Sequence, residues 1–481
     1  MPSPARTTSP ASPTSYNTPP GPPVPGGTDT PRTLRRSTLL AVCACVMVAQ
    51  SMVAAINLLI PQLAASSLHP STSQILWTVD AYVIAFAGLL IPAGAAGDRY
   101  GRKGALLTGL ALFAAGAATS ALASSPGVLI AGRAVCGTGA ALITPATMSV
   151  LVHLAGGPAR RTQAMTAWTL AIGAGGALGN LGGGLAGQYL GWRALFWAMV
   201  PLAALLALAV AYAVPRTARS AGRNQDPLGT LLVTGAMVAV LFGIIEGLAY
   251  GWTSARILAG FALGALLAAG FTAHALRTAA PLFDPRVFRS PRLRAATLGT
   301  AAGFFGLFAL FFVNSQYLQG VKGYGPAVTG VAIMPVTAGM ALAPRLVARW
   351  SATPRPVVTA GLGLIGLGLL GASTAGPHTP YGVYVLWLLV ISFGIGACMP
   401  ALTIGVVTSL PPHQAGLGSG LGTASRELGA ALGVAVAGTV LGSAHDFTGG
   451  MSSALRWAGA LVVASTLPVA LGYRGRSGKG V

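Results

Sequence analysis

Acidic residues are almost missing from this chain, which has eight Asp or Glu in 481 residues against 29 Lys and Arg. A soluble globular domain carries about a quarter charged residues. Here the charged share is 8% and the hydrophobic share 53%, which excludes a soluble domain as the main body of the molecule. Cysteine is scarce too. Cys43, Cys45, Cys136 and Cys398 all fall in apolar stretches without paired CxxC spacing, so no metal-ligand pattern is present and the four read as small packing residues. The six histidines are scattered, with no HExxH and no Gly-x4-Gly-Lys-Ser/Thr loop. No enzyme motif, metal site or cofactor is expected, and ATP-driven pumping lacks its phosphate loop.

What the chain has in abundance is long apolar runs. They lie near 38–62, 75–97, 105–123, 127–150, 164–187, 194–214, 227–249, 256–276, 295–318, 327–344, 357–374, 381–408, 417–442 and 453–473. Each is long enough for a helix to span a bilayer core of ~30 Å. The fold class expected is therefore an all-α polytopic membrane protein with fourteen transmembrane helices. Two longer basic connections, Pro215 to Asp226 and Arg277 to Arg294, divide the runs into six, two and six. Two six-helix bundles with a two-helix central insertion follow from that division, an arrangement expected of transporters. The expected domains are a disordered tail (1–37), a first bundle (38–214), the insertion with its flanking loops (215–294), a second bundle (295–473) and a short tail (474–481). The first tail is rich in Pro, Ser and Thr and buries too little to fold.

The net charge of +21 does not indicate nucleic acid, because the basic residues are spread over many short loops. Arg193, Arg256, Lys322 and Arg456 fall on one side of the membrane, Arg133 and Arg426 inside spans, and all the other Lys and Arg on the opposite side. The positive-inside rule makes that side cytoplasmic, with both termini there. Arg32, Arg35 and Arg36 anchor to the inner leaflet; a twin-arginine export signal is disfavoured by the length of the apolar run that follows.

The loop between the second and third spans reads Gly94-Ala-Ala-Gly-Asp98-Arg99-Tyr-Gly101-Arg102-Lys103. Its glycines allow a sharp reversal and close helix approach, Asp98 suits a neighbouring helix N-terminus, and the three basic residues hold the loop at the inner face. It reads as a conformational latch, or more plainly as a basic tight turn. A degenerate counterpart with Arg345, Arg349 and Arg355 lies between the tenth and eleventh spans.

This loop resembles the signature of the major facilitator superfamily. Other segments resemble the fourteen-span drug:proton antiporters within it: Trp77-Thr-Val-Asp80-Ala-Tyr82, Leu129-x3-Arg133-x3-Gly137-x-Gly139, the glycine-dense fifth span ending in Gly191-Trp192-Arg193, Pro281-Leu-Phe-Asp284-Pro-Arg286, Tyr317-Leu-Gln319-Gly, and Gly416-x-Gly418-Ser-Gly420 leading to Arg426-Glu427-Leu-Gly429. The resemblance covers residues 38 to about 445. It implies export of drug-like small molecules driven by protons. Two departures stand out: Met52 and Ala54 occupy the family's acid and Thr slots in span one, although Asn57 and Pro61 survive, and the family's Gly-Pro pair in span five is Gly179-Asn180. Gly175, Gly179, Gly183 and Gly187 still recur every fourth residue, with Gly184 beside them, and form a smooth face for another helix. That face serves antiport or generic helix packing.

Asp80 and Glu246 are the acids read as lying inside spans. By helical rise Asp80 lies ~7.5 Å inside the outer surface and Arg133 ~9 Å, so opposite charges share a depth. A carboxyl whose proton affinity depends on a nearby guanidinium can couple protonation to helix movement. Asp80 is therefore the expected proton carrier and Arg133 its modulator, unless the two form a structural ion pair. Glu246, close to the outer end of its span, is the second candidate, or else a wet structural acid. Glu427, beside Arg426, is placed near the inner end of span thirteen, packing against the latch. A substrate cavity is expected among Asn57, Tyr82, Trp168, Asn180, Phe304, Phe308, Asn314 and Gln316, aromatic and amide groups suited to amphipathic molecules. Phe304, Phe308 and Phe311 at helical spacing equally suit a lipid or helix contact.

Proton-coupled export is the function these residues favour, from a monomer in the cell membrane. Uptake of a small metabolite by the same fold is the alternative, and a non-transporting scaffold lacks any appended domain to support it.

Overall fold

The computed structural model describes residues 34–155, 158–215, 226–347, 354–410 and 415–473. Most of the expected first tail, the arginines of the connection 216–225, and the tail 474–481 lie outside them. All regular structure among the described residues is helical. The first six helices are α1 (Arg36–Ala64), α2 (Thr72–Tyr100), α3 (Arg102–Ala121), α4 (Pro126–Leu154), α5 (Pro158–Tyr189) and α6 (Trp192–Ala213). A pair follows, α7 (Pro227–Tyr250) and α8 (Ala255–Arg277). The remainder are α9 (Pro291–Gln316), α10 (Pro326–Ala332), α11 (Met334–Val347), α12 (Pro354–Ala372), α13 (Tyr381–Thr408), α14 (Ala415–Gly442) and α15 (Phe447–Gly472).

Thirteen helical segments among the described residues are long and apolar enough to cross a membrane, α10 and α11 counting as one. α5 has the length, 32 residues, but its many glycines dilute its apolar character. The α10–α11 interruption falls at Ile333, just before Pro335, whose ring removes a backbone donor from the helix ladder. Since the passes alternate, α1 begins and α15 ends on one face, called here the terminal face; the other is the distal face.

Several helices start before their apolar runs because a side chain caps them. Ser71 and Gln74 form a reciprocal capping box at α2, and Ser125, Asp226, Ser254, Ser290 and Asp446 cap α4, α7, α8, α9 and α15. Residues 36 and 37, expected in the tail, are already the first turn of α1. Helix C-termini leave carbonyls without intrahelical donors. Thr38 supplies one to Ala213 at 2.7 Å, Lys103 donates to Ala211, and Arg193 donates to Ala121 at 3.2 Å and Ala123 at 2.8 Å.

Within lipid, packing and polar contacts rather than water exclusion hold helices together, so small residues mark the close crossings. The fourfold glycine row of α5 lies on α1. A methyl at Gly175, Gly179 or Gly183 would strike the backbone at Met47, Ser51 or Ala55, and one at Gly187 would crowd Leu59 and Gln62. The pairings α1 with α5, α2 with α4, α3 with α4 and α3 with α6 recur as α9 with α14, α11 with α13, α12 with α13 and α12 with α15. A repeat almost invisible in the residues is thus plain in the packing.

α7 packs against α2 and α14, and α8 against α7. On the terminal side the pair is held by Asp226, whose Oδ1 accepts from the Gly229 N–H at 2.7 Å and faces His274 Nε2 at 2.8 Å, while Oδ2 accepts from the Leu282 N–H at 2.9 Å. Burial opposes the charge of Asp226, but the bonds from Gly229, His274 and Leu282 outweigh it and hold the carboxyl below the usual carboxylate range. The stability this group adds is present above the unfolded carboxylate pKa and lost as pH falls through its own, lower value. Asp226→Ala is expected to cost about 1–2 kcal/mol, read as a lower apparent unfolding temperature near neutral pH, and the gap to the parent should close in acid below about pH 4.

The α5 row gives a second test. Gly179→Leu should overpack the α1 crossing and cost about 1–3 kcal/mol or more, whereas Gly182→Ala, with no atom within 4 Å of its new methyl, should be neutral. Detergent-solubilised thermal unfolding of the two variants measures both.

Candidate functional site

The helices α1, α2 and α5 meet α9, α10 and α14 along a seam. Its distal half is tight: Ser51 through Ile60 of α1 are all buried, as are Gly306 to Leu310 and Phe312 to Ser315 of α9. Ser315 Oγ donates to the Asn57 carbonyl at 2.6 Å and Gln319 Nε2 to the Leu58 carbonyl at 2.9 Å. On α5, Gly184 lies against the Pro326 carbonyl and Asn180 against Gly330, while the Ala327 N–H donates to Gln188 at 3.3 Å. Gly438 and Gly442 of α14 meet Leu76 and Thr72 of α2. Toward the terminal face the seam loosens: Gly173 and Ala174 of α5 are exposed, and α14 is half-buried all round from 422 to 426. The seam is therefore closed distally.

Asp80, near the distal end of α2, lies at the height of the closed half. It is fully buried, and neither carboxyl oxygen has a hydrogen-bond partner. Arg133 is also fully buried, but the alternative reading, a structural ion pair with Asp80, is not formed in this conformation, since neither Asp80 oxygen has a partner. Equal depth fixes only height along the membrane normal; helix rotation decides contact. Arg133 Nε donates to the Thr78 carbonyl at 3.0 Å, its guanidinium lies 4.6 Å above the Tyr82 ring, and both terminal nitrogens lack partners. Tyr82 donates through its hydroxyl to the Ala49 carbonyl at 2.7 Å. Arg133 of α4 is thus tied to α2 on either side of Asp80 in sequence without touching the acid. Gly137 makes this possible, since a methyl there would strike the Tyr82 backbone.

Glu246 has a structural partner. Its carboxylate accepts from Trp77 Nε1 at 3.1 Å and joins α7 to α2, which supports the structural reading of this acid. Glu427 requires a correction. It lies midway along α14, buried, with Arg426 bound to it at 2.7 and 2.9 Å, rather than at an inner end against the latch. Neutralised by its neighbour, such an acid can sit deep in the membrane. Arg426 also lies 5.5 Å from the Phe304 ring centroid, so Phe304 faces protein rather than lipid. The signal in the sequence was an acid well inside an apolar run, masked by the arginine beside it.

The expected cavity residues do not form one wall. Trp168 donates to Thr147 Oγ1 at 3.0 Å, Phe304, Phe308 and Phe311 form a ring cluster with centroids 6.3 and 5.7 Å apart, and Asn314 turns into the last helices to accept from the Tyr384 hydroxyl at 2.9 Å. Asn57 Nδ2 bonds to Val53 on its own helix. Gln316 instead lines a cavity of about 360 Å³ on the distal side, with Pro61, Thr72, Phe312 and Gly320 among its walls.

The latch motif is mostly helix. Gly94, Asp98 and Arg99 are in the last turns of α2, with Gly94 facing Pro145 of α4; only Gly101, at φ 104°, makes the break, and Arg102 and Lys103 open α3. Lys103 ties this corner to α6, and the Asp98 side chain lies outside what is described.

Helices repeated in packing around a seam that is shut on one side and looser on the other define the class as a polytopic helical membrane transporter. The chain belongs to the Major Facilitator Superfamily, whose family model matches residues 42–434. It is 33% identical to the tetracenomycin C resistance and export protein of Streptomyces glaucescens, over 84% of this chain and 76% of that one. It is 32% identical to the cephamycin export protein of Amycolatopsis lactamdurans, covering 87% and 88%, and 28% identical to a multidrug efflux pump of Mycolicibacterium smegmatis, covering 92% and 90%. Among solved structures, a peptide transporter in complex with sulfate superposes with a TM-score of 0.70 at 16% identity over 91% of this chain and 96% of that one. The xylose transporter of E. coli in an inward open conformation gives 0.62 at 16%, over 92% and 97%. At that identity these two show the fold alone.

Removing one partner of a buried ion pair leaves an uncompensated charge. Glu427→Ala is expected to destabilise the protein by about 3 kcal/mol or more, and adding Arg426→Leu to recover part of that loss, both read from thermal unfolding in detergent.

Proposed function

We propose that this chain is a proton-coupled exporter of antibiotics or other amphipathic small molecules, working by alternating access in the cytoplasmic membrane with both termini inside. Relatives named as resistance and export proteins for tetracenomycin C, methylenomycin A, puromycin and cephamycin support the direction and the substrate class. The positive-inside asymmetry supports the orientation and makes the distal face extracellular. No cofactor is needed, because the energy is electrochemical. A monomer suffices, since the seam lies within one chain.

Proton coupling rests on one observation: a fully buried carboxyl, Asp80, without any hydrogen-bond partner, in the distal half of α2 at the height of the closed seam. Charge at such a place costs several kcal/mol, so the charged acid disfavours this conformation and the protonated acid permits it. Protonation from outside then favours closure of the distal seam. Deprotonation toward the inside restores a charge that needs either water or the free nitrogens of Arg133, which is why Arg133 acts as modulator. Met52 in the usual acidic slot of span one leaves Asp80 as the principal carrier. Each proton moving inward contributes about 2.3 kcal/mol per 100 mV of membrane potential.

The test is expression in a pump-deficient bacterium with a panel of antibiotics and cationic dyes. Asp80→Asn is expected to lower proton-driven efflux of the best substrate at least tenfold while leaving protein level and substrate binding in place. Efflux by that variant at the parental rate sinks the coupling role, and resistance to no compound in the panel sinks the export role.

A further inference from the structure

A proline on one helix frees a carbonyl that a serine on another helix bonds across the shut distal seam. In a regular helix the Asn57 carbonyl accepts from the N–H four residues on. That residue is Pro61, inside α1, which has no N–H to give. The Asn57 carbonyl is therefore orphaned within its own helix. In this conformation it is satisfied across the seam by Ser315 Oγ of α9, at 2.6 Å, between residues that are 2% and 0% exposed. Four residues on, Gln319 reaches the next carbonyl of α1, that of Leu58.

The donor has an alternative. Ser315 Oγ is also 3.5 Å from the Phe312 carbonyl one turn back on α9, so when the helices part the hydroxyl can turn to its own helix. The acceptor has none in α1, but Pro61 lines the 360 Å³ distal cavity together with Gln316 and Gly320, where water can replace the lost donor once the seam opens. The geometry points to Ser315 as the outer latch of the transport cycle, a gating residue that closes the seam by donating to the carbonyl Pro61 leaves free. The assignment rests on the alternating-access reading above but not on export or on protons.

Populations of the two states decide it. Spin labels carried on a ketone-bearing amino acid at Ser67 and His378, exposed connections on the distal side of the two helix groups, report the distal opening by double electron–electron resonance in nanodiscs without substrate or gradient. Ser315→Ala is expected to raise the ratio of open to closed about fivefold, the effect of one net hydrogen bond, and Ser315→Thr to return it toward the parent. Pro61→Ala gives the carbonyl an intrahelical donor, so in that background Ser315→Ala is expected to change the ratio less than about twofold. An unchanged ratio in Ser315→Ala overturns the proposal, as does a full fivefold shift in both backgrounds. Should Ser315→Ala not fold, Ser315→Cys, a weaker donor of similar volume, is expected to shift the ratio in the same direction by less, and no shift overturns the proposal. Because no transport is measured, a protein that exports nothing can still show the latch, and one that exports without it refutes the latch alone.

Discussion

Every polar group inside a bilayer must find a partner within the protein, and most of this structure follows from that constraint. Backbone groups are satisfied by helices. Where helices end, basic side chains such as Lys103 and Arg193 or hydroxyls such as Thr38 complete the ladder. Where a proline interrupts one, as at Pro61, the freed carbonyl turns to a neighbouring helix. With the backbone settled, the few side-chain groups left without partners become conspicuous. Asp80 and the terminal nitrogens of Arg133 are among them, at similar depth yet not joined.

The fold was largely legible from the residues. Apolar runs located the helices, because in lipid the length of a run is set by bilayer thickness and not by the competition among core partners that blurs soluble proteins. Ends were less legible: α15 begins ahead of the run starting at 453 because Asp446 caps it, and capping is a local bond that hydropathy does not register. The latch motif was read as a loop, but glycines and charges at a membrane surface are compatible with helix, and only Gly101 carries the positive φ that forces a turn. The fourfold glycine row announced a close crossing without naming its partner, which is α1.

The site was legible in composition and not in arrangement. Asp80 and Arg133 stood out by charge, but helical rise supplies only a height, and the azimuth that separates them is set by how α2 and α4 are rotated about Gly137. Glu427 was placed at the wrong depth because a charged pair looks interfacial in a linear sequence. Only in three dimensions does Arg426 hold its carboxylate and allow both to sit midway along α14. Ser315 carried no signal at all. A buried serine in an apolar helix is ordinary, and its meaning arises from a proline more than 250 residues away.

The break at Ile333 has a mechanical consequence. α10, only seven residues long, lies against α5 through Gly330 and Pro326, whereas α11 beyond the break is bedded on α13, where Gly339 meets Ser392 and Gly396 meets Met340. One membrane pass is thereby divided between two allegiances. The short segment is held by α5 and the longer one by α13, so any parting of α5 from the later helices would load the broken turn at Ile333, the one place where this pass lacks a continuous ladder.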